Sequence, residues 1–154
     1  LHVDLPIARS PTHVDGVTSY VGQEQVFDFR SCTRVLIIML PNTPRSVGII
    51  NRQLLSQLKP GAFLSNLARG PHVVDDDLLA ALAAGEVNAA ALDVFNVEPL
   101  PADHPFWSHP DIAITPHNAA VTLPEEAMDY IAGAIAQCES NQMPEGRVDL
   151  ERGY

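Results

Sequence analysis

Arginine, carboxylate and histidine recur in this sequence where apolar runs end. Leu64-Ser65-Asn66-Leu67-Ala68-Arg69-Gly70 stops in a lone arginine and a glycine, Ala89-Ala90-Ala91-Leu92 leads to Asp93 with Glu98 close behind, and Ile112-Ala113-Ile114-Thr115-Pro116 delivers His117. A guanidinium fork matches a planar carboxylate with two parallel hydrogen bonds, which a lysine cannot do. Together, at the ends of neighbouring strands, these side chains form a candidate active site with a place for an anion. Pattern alone also allows blander assignments: Arg69 in a surface loop, Glu98 as a helix-cap acid, His117 as a loop histidine.

For these residues to meet, the apolar runs must be neighbouring parallel strands, because ligands of open α/β sheets sit outside the carboxyl ends of the strands. Strands are expected at Leu5-Pro6-Ile7-Ala8, Tyr20-Val21, Val35-Leu36-Ile37-Ile38-Met39-Leu40 and residues 62–67, 89–94 and 112–115. The run from Val35 shows no alternation, as in a strand covered on both faces. Between the strands, residues 24–30 read as a short helix, and residues 51–58 as a helix with Leu54, Leu55 and Leu58 on one face, closed by Lys59-Pro60-Gly61. Asp75-Asp76-Asp77 opens a helix that Gly85 ends, and such a triplet fits a capped, charged first turn better than a metal site. From Pro124 to Asn141 the residues Ala127, Ile131, Ala134, Ile135 and Cys138 share a helical face, and the polar tail to Tyr154 reads as an extended arm. Units of roughly 30 residues alternating in this way give a parallel sheet with right-handed crossovers. The first expected strand runs into Arg9-Ser10-Pro11-Thr12, a basic and hydroxyl-bearing turn suited to phosphate, yet no G-x-G-x-x-G occurs and the glycines at 16, 22 and 48 do not fit that fingerprint.

With 154 residues and 46% hydrophobic character, the chain can bury a core as one domain. Nineteen acids against nine bases give a net charge of −10, which repels nucleic acid and anionic membranes, so any anion site must be local. Cys32 and Cys138 have no metal-like spacing and read as two free, buried thiols in a reducing compartment, the cytoplasm. No signal peptide or spanning segment is visible, and the first residue is Leu1, with Leu5 to Ala8 already resembling a fold interior, so the sequence reads as a piece of a longer protein. His2, His13, His72, His104 and His109 lack a partner at convincing spacing and are assigned to the surface.

Five motifs, in order, carry a resemblance: Leu40-Pro41-Asn42-Thr43-Pro44; Asn51-Arg52-Gln53-Leu54-Leu55 with Lys59-Pro60-Gly61-Ala62; Asn66-Leu67-Ala68-Arg69-Gly70 with Val74-Asp75; Leu92-Asp93-Val94-Phe95 with Glu98-Pro99-Leu100-Pro101; and Thr115-Pro116-His117 with Ala119 and Ala120. The chain resembles the D-isomer-specific 2-hydroxyacid dehydrogenases. Within them, Pro105-Phe106-Trp107, Asp76-Asp77-Leu78-Leu79-Ala80-Ala81-Leu82 and Arg152-Gly153-Tyr154 look most like members that reduce glyoxylate and hydroxypyruvate. The resemblance implies an α/β fold: an incomplete doubly wound parallel sheet, Rossmann-like but lacking its first β-α unit. Residues 1–122 would be the later portion of an NAD(P)-binding domain, and residues 123–154 a helix and tail returning to a substrate domain.

The resemblance also implies roles. Arg69 would bind the substrate carboxylate and keto oxygen, His117 would donate the proton, and Glu98 would hydrogen-bond the imidazole and favour its charged form. Asp93 would meet the nicotinamide side, with Leu67, Ala68 and Ala119 framing the ring, while Leu40, Pro41 and Thr43 would pass the adenosine and ribose. No metal is implied. An NAD enzyme usually carries an acid at the end of its second strand, and here that strand ends in Arg9-Ser10, so NADPH is the expected cofactor, with NADH possible. The expected activity is reduction of a small 2-keto acid by a cytoplasmic homodimer, in the longer protein rather than in this piece alone. A phosphoglycerate or D-lactate dehydrogenase and a non-catalytic Rossmann-like binding module remain alternatives.

Overall fold

A computed structural model of the chain describes residues 3–8, 15, 17–21, 25–120, 122–144, 146–148 and 150. Strands and helices alternate as β1 (Val3–Ala8), β2 (Val17–Val21), α1 (Val26–Cys32), β3 (Val35–Ile38), α2 (Arg52–Leu55), β4 (Ala62–Asn66), α3 (Asp75–Ala83), β5 (Val87–Leu92), β6 (Ile112–Ile114) and α4 (Pro124–Glu139). Every strand pair is parallel: β1 with β2 in one ladder, and β3-β4-β5-β6 in a second. Taking the central first strand out of the doubly wound order 3-2-1-4-5-6 leaves two ladders of this kind, here with one further strand at the far edge. The α/β class and the parallel sheet are as the sequence implies.

Register explains the core. Leu36 lies opposite Leu64, Leu64 opposite Ala90, and Ala90 opposite Ile112, so one face of the sheet carries a continuous apolar row. Leu54 and Leu55 of α2 and Leu78, Ala81 and Leu82 of α3 are buried in the same core. At the other end, Phe29 of α1 packs edge-on against Tyr20, with ring centroids 5.5 Å apart.

The opposite face departs from expectation. Burial along β3 alternates instead of being continuous: Leu36 and Ile38 are buried, while Val35 is 58% and Ile37 53% exposed, and Phe63 on β4 is 46% exposed. The buried helical residues of α2 and α3 serve one face only, so the unbroken hydrophobicity of the run from Val35 has no second layer to meet among the described residues. Nor does α4 supply one, since none of its residues is buried and Ile131 and Ile135 stand exposed.

Local chemistry sets the helix ends. Asn51 caps α2 by accepting from Leu54 N at 3.1 Å, but the helix closes after Leu55, and Gln57 N and Leu58 N bond three residues back instead, which shortens the expected span. The acids of the Asp75–Asp77 triplet do occupy the first turn of α3, but none caps it. The N-cap is Val74, Asp77 accepts from the backbone N of Arg52 at the start of α2, and Asp75 reaches outward to Asn96. Gly85 follows α3 with φ 71°, a left-handed conformation that glycine adopts without strain. Neither thiol forms a disulfide, yet only Cys32 is half-buried; Cys138 is exposed, because the helix face that carries it is not covered.

A one-sided core makes a specific prediction. Leu64→Ala should destabilise this chain by about 2–5 kcal/mol, whereas Phe63→Ala, its neighbour on the open face, should cost less than half as much. Urea unfolding of the two variants beside the parent chain checks this.

Candidate active site

β4 ends in a bend that its last residue ties. Asn66 is buried, its side-chain oxygen accepts from Ala68 N at 3.1 Å, and its amide donates to the Arg69 carbonyl at 2.9 Å. The bend turns Arg69 outward, where its guanidinium donates to the Ala68 carbonyl at 2.6 Å and is otherwise open to solvent. The residue after the arginine has to be glycine. A Cβ at Gly70 would lie 1.9 Å from the carbonyl carbon and oxygen of Phe95, so only glycine lets the strand end of Arg69 press against the loop that carries Glu98.

The second half of the site hangs on Asp93, which is 2% exposed. Its carboxylate accepts from the Thr115 hydroxyl, from Asn118 N at 2.9 Å and from Ala119 N at 3.0 Å. These bonds bracket His117, which takes a left-handed backbone conformation with φ 52°, uncommon outside glycine. Burial pushes the Asp93 carboxyl up, but the bonds from Thr115, Ala119 and Asn118 outweigh it and hold the group below its ordinary value.

So held, the His117 ring meets Glu98: Nδ1 lies 2.8 Å from Oε2. Oε1 of the same carboxylate accepts from Phe95 N at 2.9 Å, so one oxygen fixes the loop and the other fixes the imidazole. The bond to His117, then that from Phe95, hold the Glu98 carboxyl below the usual carboxylate range against the push of burial, and the Arg69 charge acts in the same direction. An ionised carboxylate only accepts, so Nδ1 carries the hydrogen and Nε2 is the ring nitrogen left for chemistry.

Of the remaining expected residues, Leu40 and Pro41 on one wall and Leu67, Ala68 and Arg69 on the other line one open groove of ≈ 490 Å³ at the carboxyl ends of β3 and β4. Thr43 does not line it; its hydroxyl and backbone N turn to Ser46 within their own loop. Ala119 joins Asp93 on the His117 side. Arg9 and Ser10, like His2 and His13, lie outside the described residues. The surface assignment fails for His72, which is fully buried with Nε2 3.3 Å from the Pro41 carbonyl. It also fails for His104, half-buried and 3.5 Å from Asp75. Spacing could not find Pro41 for His72 or Asp75 for His104, since each lies about thirty residues away. Asn66 and Thr115 are positioning residues inside the motifs, and the sequence reading assigned them no work; an Asn succeeded at once by a tight bend is the signal that points to the first of them.

The depressed Asp93 carboxyl makes stability pH-dependent in a defined direction. Its contribution is complete above about pH 4, the ordinary aspartate range, and is lost as pH falls through the lower native value. Asp93→Asn turns an amide N–H against one of three donors and should cost about 1–3 kcal/mol at neutral pH. That cost should shrink on acidification below about pH 4, as urea midpoints of parent and variant at neutral and acid pH will report.

Comparison with known proteins identifies the family. Residues 7–119 match the model of the D-isomer specific 2-hydroxyacid dehydrogenase NAD-binding domain. Over 147 residues the chain is 55% identical to glyoxylate/hydroxypyruvate reductase A of Serratia proteamaculans, covering 96% of this chain and 47% of that protein, so it spans about half the length of the curated relatives it matches. A D-isomer specific 2-hydroxyacid dehydrogenase from Xanthobacter autotrophicus, solved in complex with NADPH and MES, superposes with a TM-score of 0.92 at 37% identity over 96% of this chain and 61% of that one. An NADPH-dependent glyoxylate/hydroxypyruvate reductase from Sinorhizobium meliloti, solved with NADP and sulfate, gives 0.90 at 33% identity over 96% and 48%. With its motifs in order and the family's NAD-binding domain matched over most of its length, the chain belongs to the D-isomer specific 2-hydroxyacid dehydrogenases.

Proposed function

We propose that the full-length protein reduces a small 2-keto acid of the glyoxylate or hydroxypyruvate type to the D-2-hydroxy acid with NADPH. The observation that carries this reading is the His117–Glu98 pair at 2.8 Å, with Glu98 on the loop that Gly70 lets approach the Arg69 strand end. Arg69 offers two parallel donors to the substrate carboxylate and orients the neighbouring carbonyl. The imidazolium of His117 gives its Nε2 proton to the carbonyl oxygen, and the ionised Glu98 steadies the ring through Nδ1. When bound, the dinucleotide supplies the hydride that goes to the carbonyl carbon. Its fit rests on the chemistry of the groove, whose walls are apolar at Met39, Leu40, Pro41, Leu67 and Ala68, as a flat ring requires, with Asn42 and the Arg69 cation as its polar groups.

NADPH is favoured over NADH by Arg9 and Ser10 at the sequence position where an NAD enzyme carries an acid, and by relatives solved with NADPH or NADP. We assign residues 1–122 to the NAD(P)-binding domain and 123–154 to a helix and tail that return to a substrate domain. This division is supported by the end of the family match at residue 119 and by an α4 with no buried residue. Turnover is assigned to the longer protein, because the glycine turn that cradles pyrophosphate does not occur in these residues. A homodimer in the cytoplasm completes the reading; cysteines that form no disulfide accord with a reducing compartment, and among the described residues no helix is long and apolar enough to cross a membrane.

In the full-length protein, Arg69→Lys keeps the charge and loses the fork, so kcat/KM for the keto acid should fall by roughly two powers of ten or more. His117→Ala should lower kcat with little change in KM, and Glu98→Gln should retain more turnover than His117→Ala. Steady-state kinetics on hydroxypyruvate separates these outcomes.

A second test concerns the cofactor. Arg9→Glu should raise KM for NADPH and leave KM for NADH nearly unchanged; equal effects on both would remove Arg9 from the 2′-phosphate.

A further inference from the structure

We propose that the buried imidazole of His72 is a positioning residue for the dinucleotide groove, setting the spacing between the two loops that form its walls. The inference rests on the reading of that groove as the cofactor site.

His72 closes the turn Gly70–His72 directly after Arg69 and is 0% exposed. Its Nε2 lies 3.3 Å from the carbonyl of Pro41, and a carbonyl only accepts, so Nε2 carries the hydrogen. Nδ1 is then a bare acceptor, buried and without a partner among the described residues. An unpaired buried ring nitrogen is costly, and a leucine of similar size would fill the space without that cost, so packing alone does not account for a histidine here. The bond from Nε2 does.

That bond joins the two walls. On the strand side, the backbone tie nearest the groove is Leu67 N to the Ile38 carbonyl, at 3.2 Å. Beyond it the chain runs to Pro41 and Pro44, which have no N–H to extend a ladder. The Pro41 carbonyl accepts twice: from Ser46 Oγ at 2.7 Å, which shapes its own loop, and from His72, which reaches across from the other wall. The backbone of the same turn holds the far end of the loop, with Gly48 N on the Pro71 carbonyl at 2.8 Å and Ile50 N on the His72 carbonyl at 2.9 Å. These backbone bonds survive substitution of the side chain. Replacing the imidazole therefore frees only the near end of the loop, where Leu40 and Pro41 line the groove.

The test uses the full-length protein as His72→Leu, which keeps volume without a donor, and His72→Gln, which carries a donor at similar reach. NADPH affinity is measured directly by fluorescence titration and calorimetry without keto acid, then KM and kcat are measured with hydroxypyruvate. His72→Leu is expected to weaken NADPH binding and raise its KM by roughly three- to tenfold, the span of one lost hydrogen bond, with kcat at saturating NADPH within about twofold of the parent. His72→Gln is expected to recover most of that affinity. Where the leucine variant does not fold, His72→Asn, polar but too short to reach Pro41, takes its place in the comparison. Unchanged affinity in the donor-free variant, or equal loss in the glutamine variant, would overturn the proposal. Because the affinity arm needs no turnover, it decides on His72 even if no 2-keto acid is reduced, an outcome that would count only against the proposed reaction.

Discussion

A carboxylate with three donors holds this site together. Asp93 lies just past β5, and its bonds to Thr115, Asn118 and Ala119 draw in the segment that leaves β6, fixing the backbone on both sides of His117. Without that anchor the left-handed turn at His117 would rest on local preferences that oppose it, and the imidazole would have no fixed approach to Glu98. The steric requirement at Gly70 is the counterpart on the other side: contact with the Phe95 backbone brings the Arg69 strand end to the same loop. Parallel strands deliver these residues to one edge; two close contacts turn that edge into a constellation.

The electrostatics are local by necessity. A chain with a net charge of −10 offers no general attraction to a small anion, so an anion site here would depend on local groups such as the guanidinium of Arg69 and the imidazole of His117, both of which act on Glu98. Taken by its charge alone, Glu98 is a poor neighbour for a carboxylate substrate. That charge, however, is engaged on both oxygens, by Phe95 N and by His117, and the Arg69 field favours its ionised form. The acid thus fixes the orientation of the imidazole.

Much of this was legible in the sequence. Apolar runs ending in Arg69, Asp93 and His117 marked strand ends, and the ordered motifs identified the family that the comparisons show. Two kinds of feature escaped. Burial on the two faces of β3 could not be read from an uninterrupted apolar run, because such a run records what a strand can bury and not which layers are there to cover it. Partnerships of His72 with Pro41 and of His104 with Asp75 span loops whose approach is set by tertiary packing, so no local pattern encodes them. The acid triplet erred in the other direction: a strong local rule for helix capping gave way to longer-range bonds from Arg52 and Asn96.

The open face of the sheet also has a thermodynamic consequence. Heat capacity rises on unfolding in proportion to the apolar surface that becomes wet. Val35, Ile37 and Phe63 already meet water when the chain is folded, as do Ile131 and Ile135 of α4, so their side chains add little to that increment. The stability of these 154 residues should therefore curve less steeply with temperature than that of a chain of the same length with both sheet faces covered.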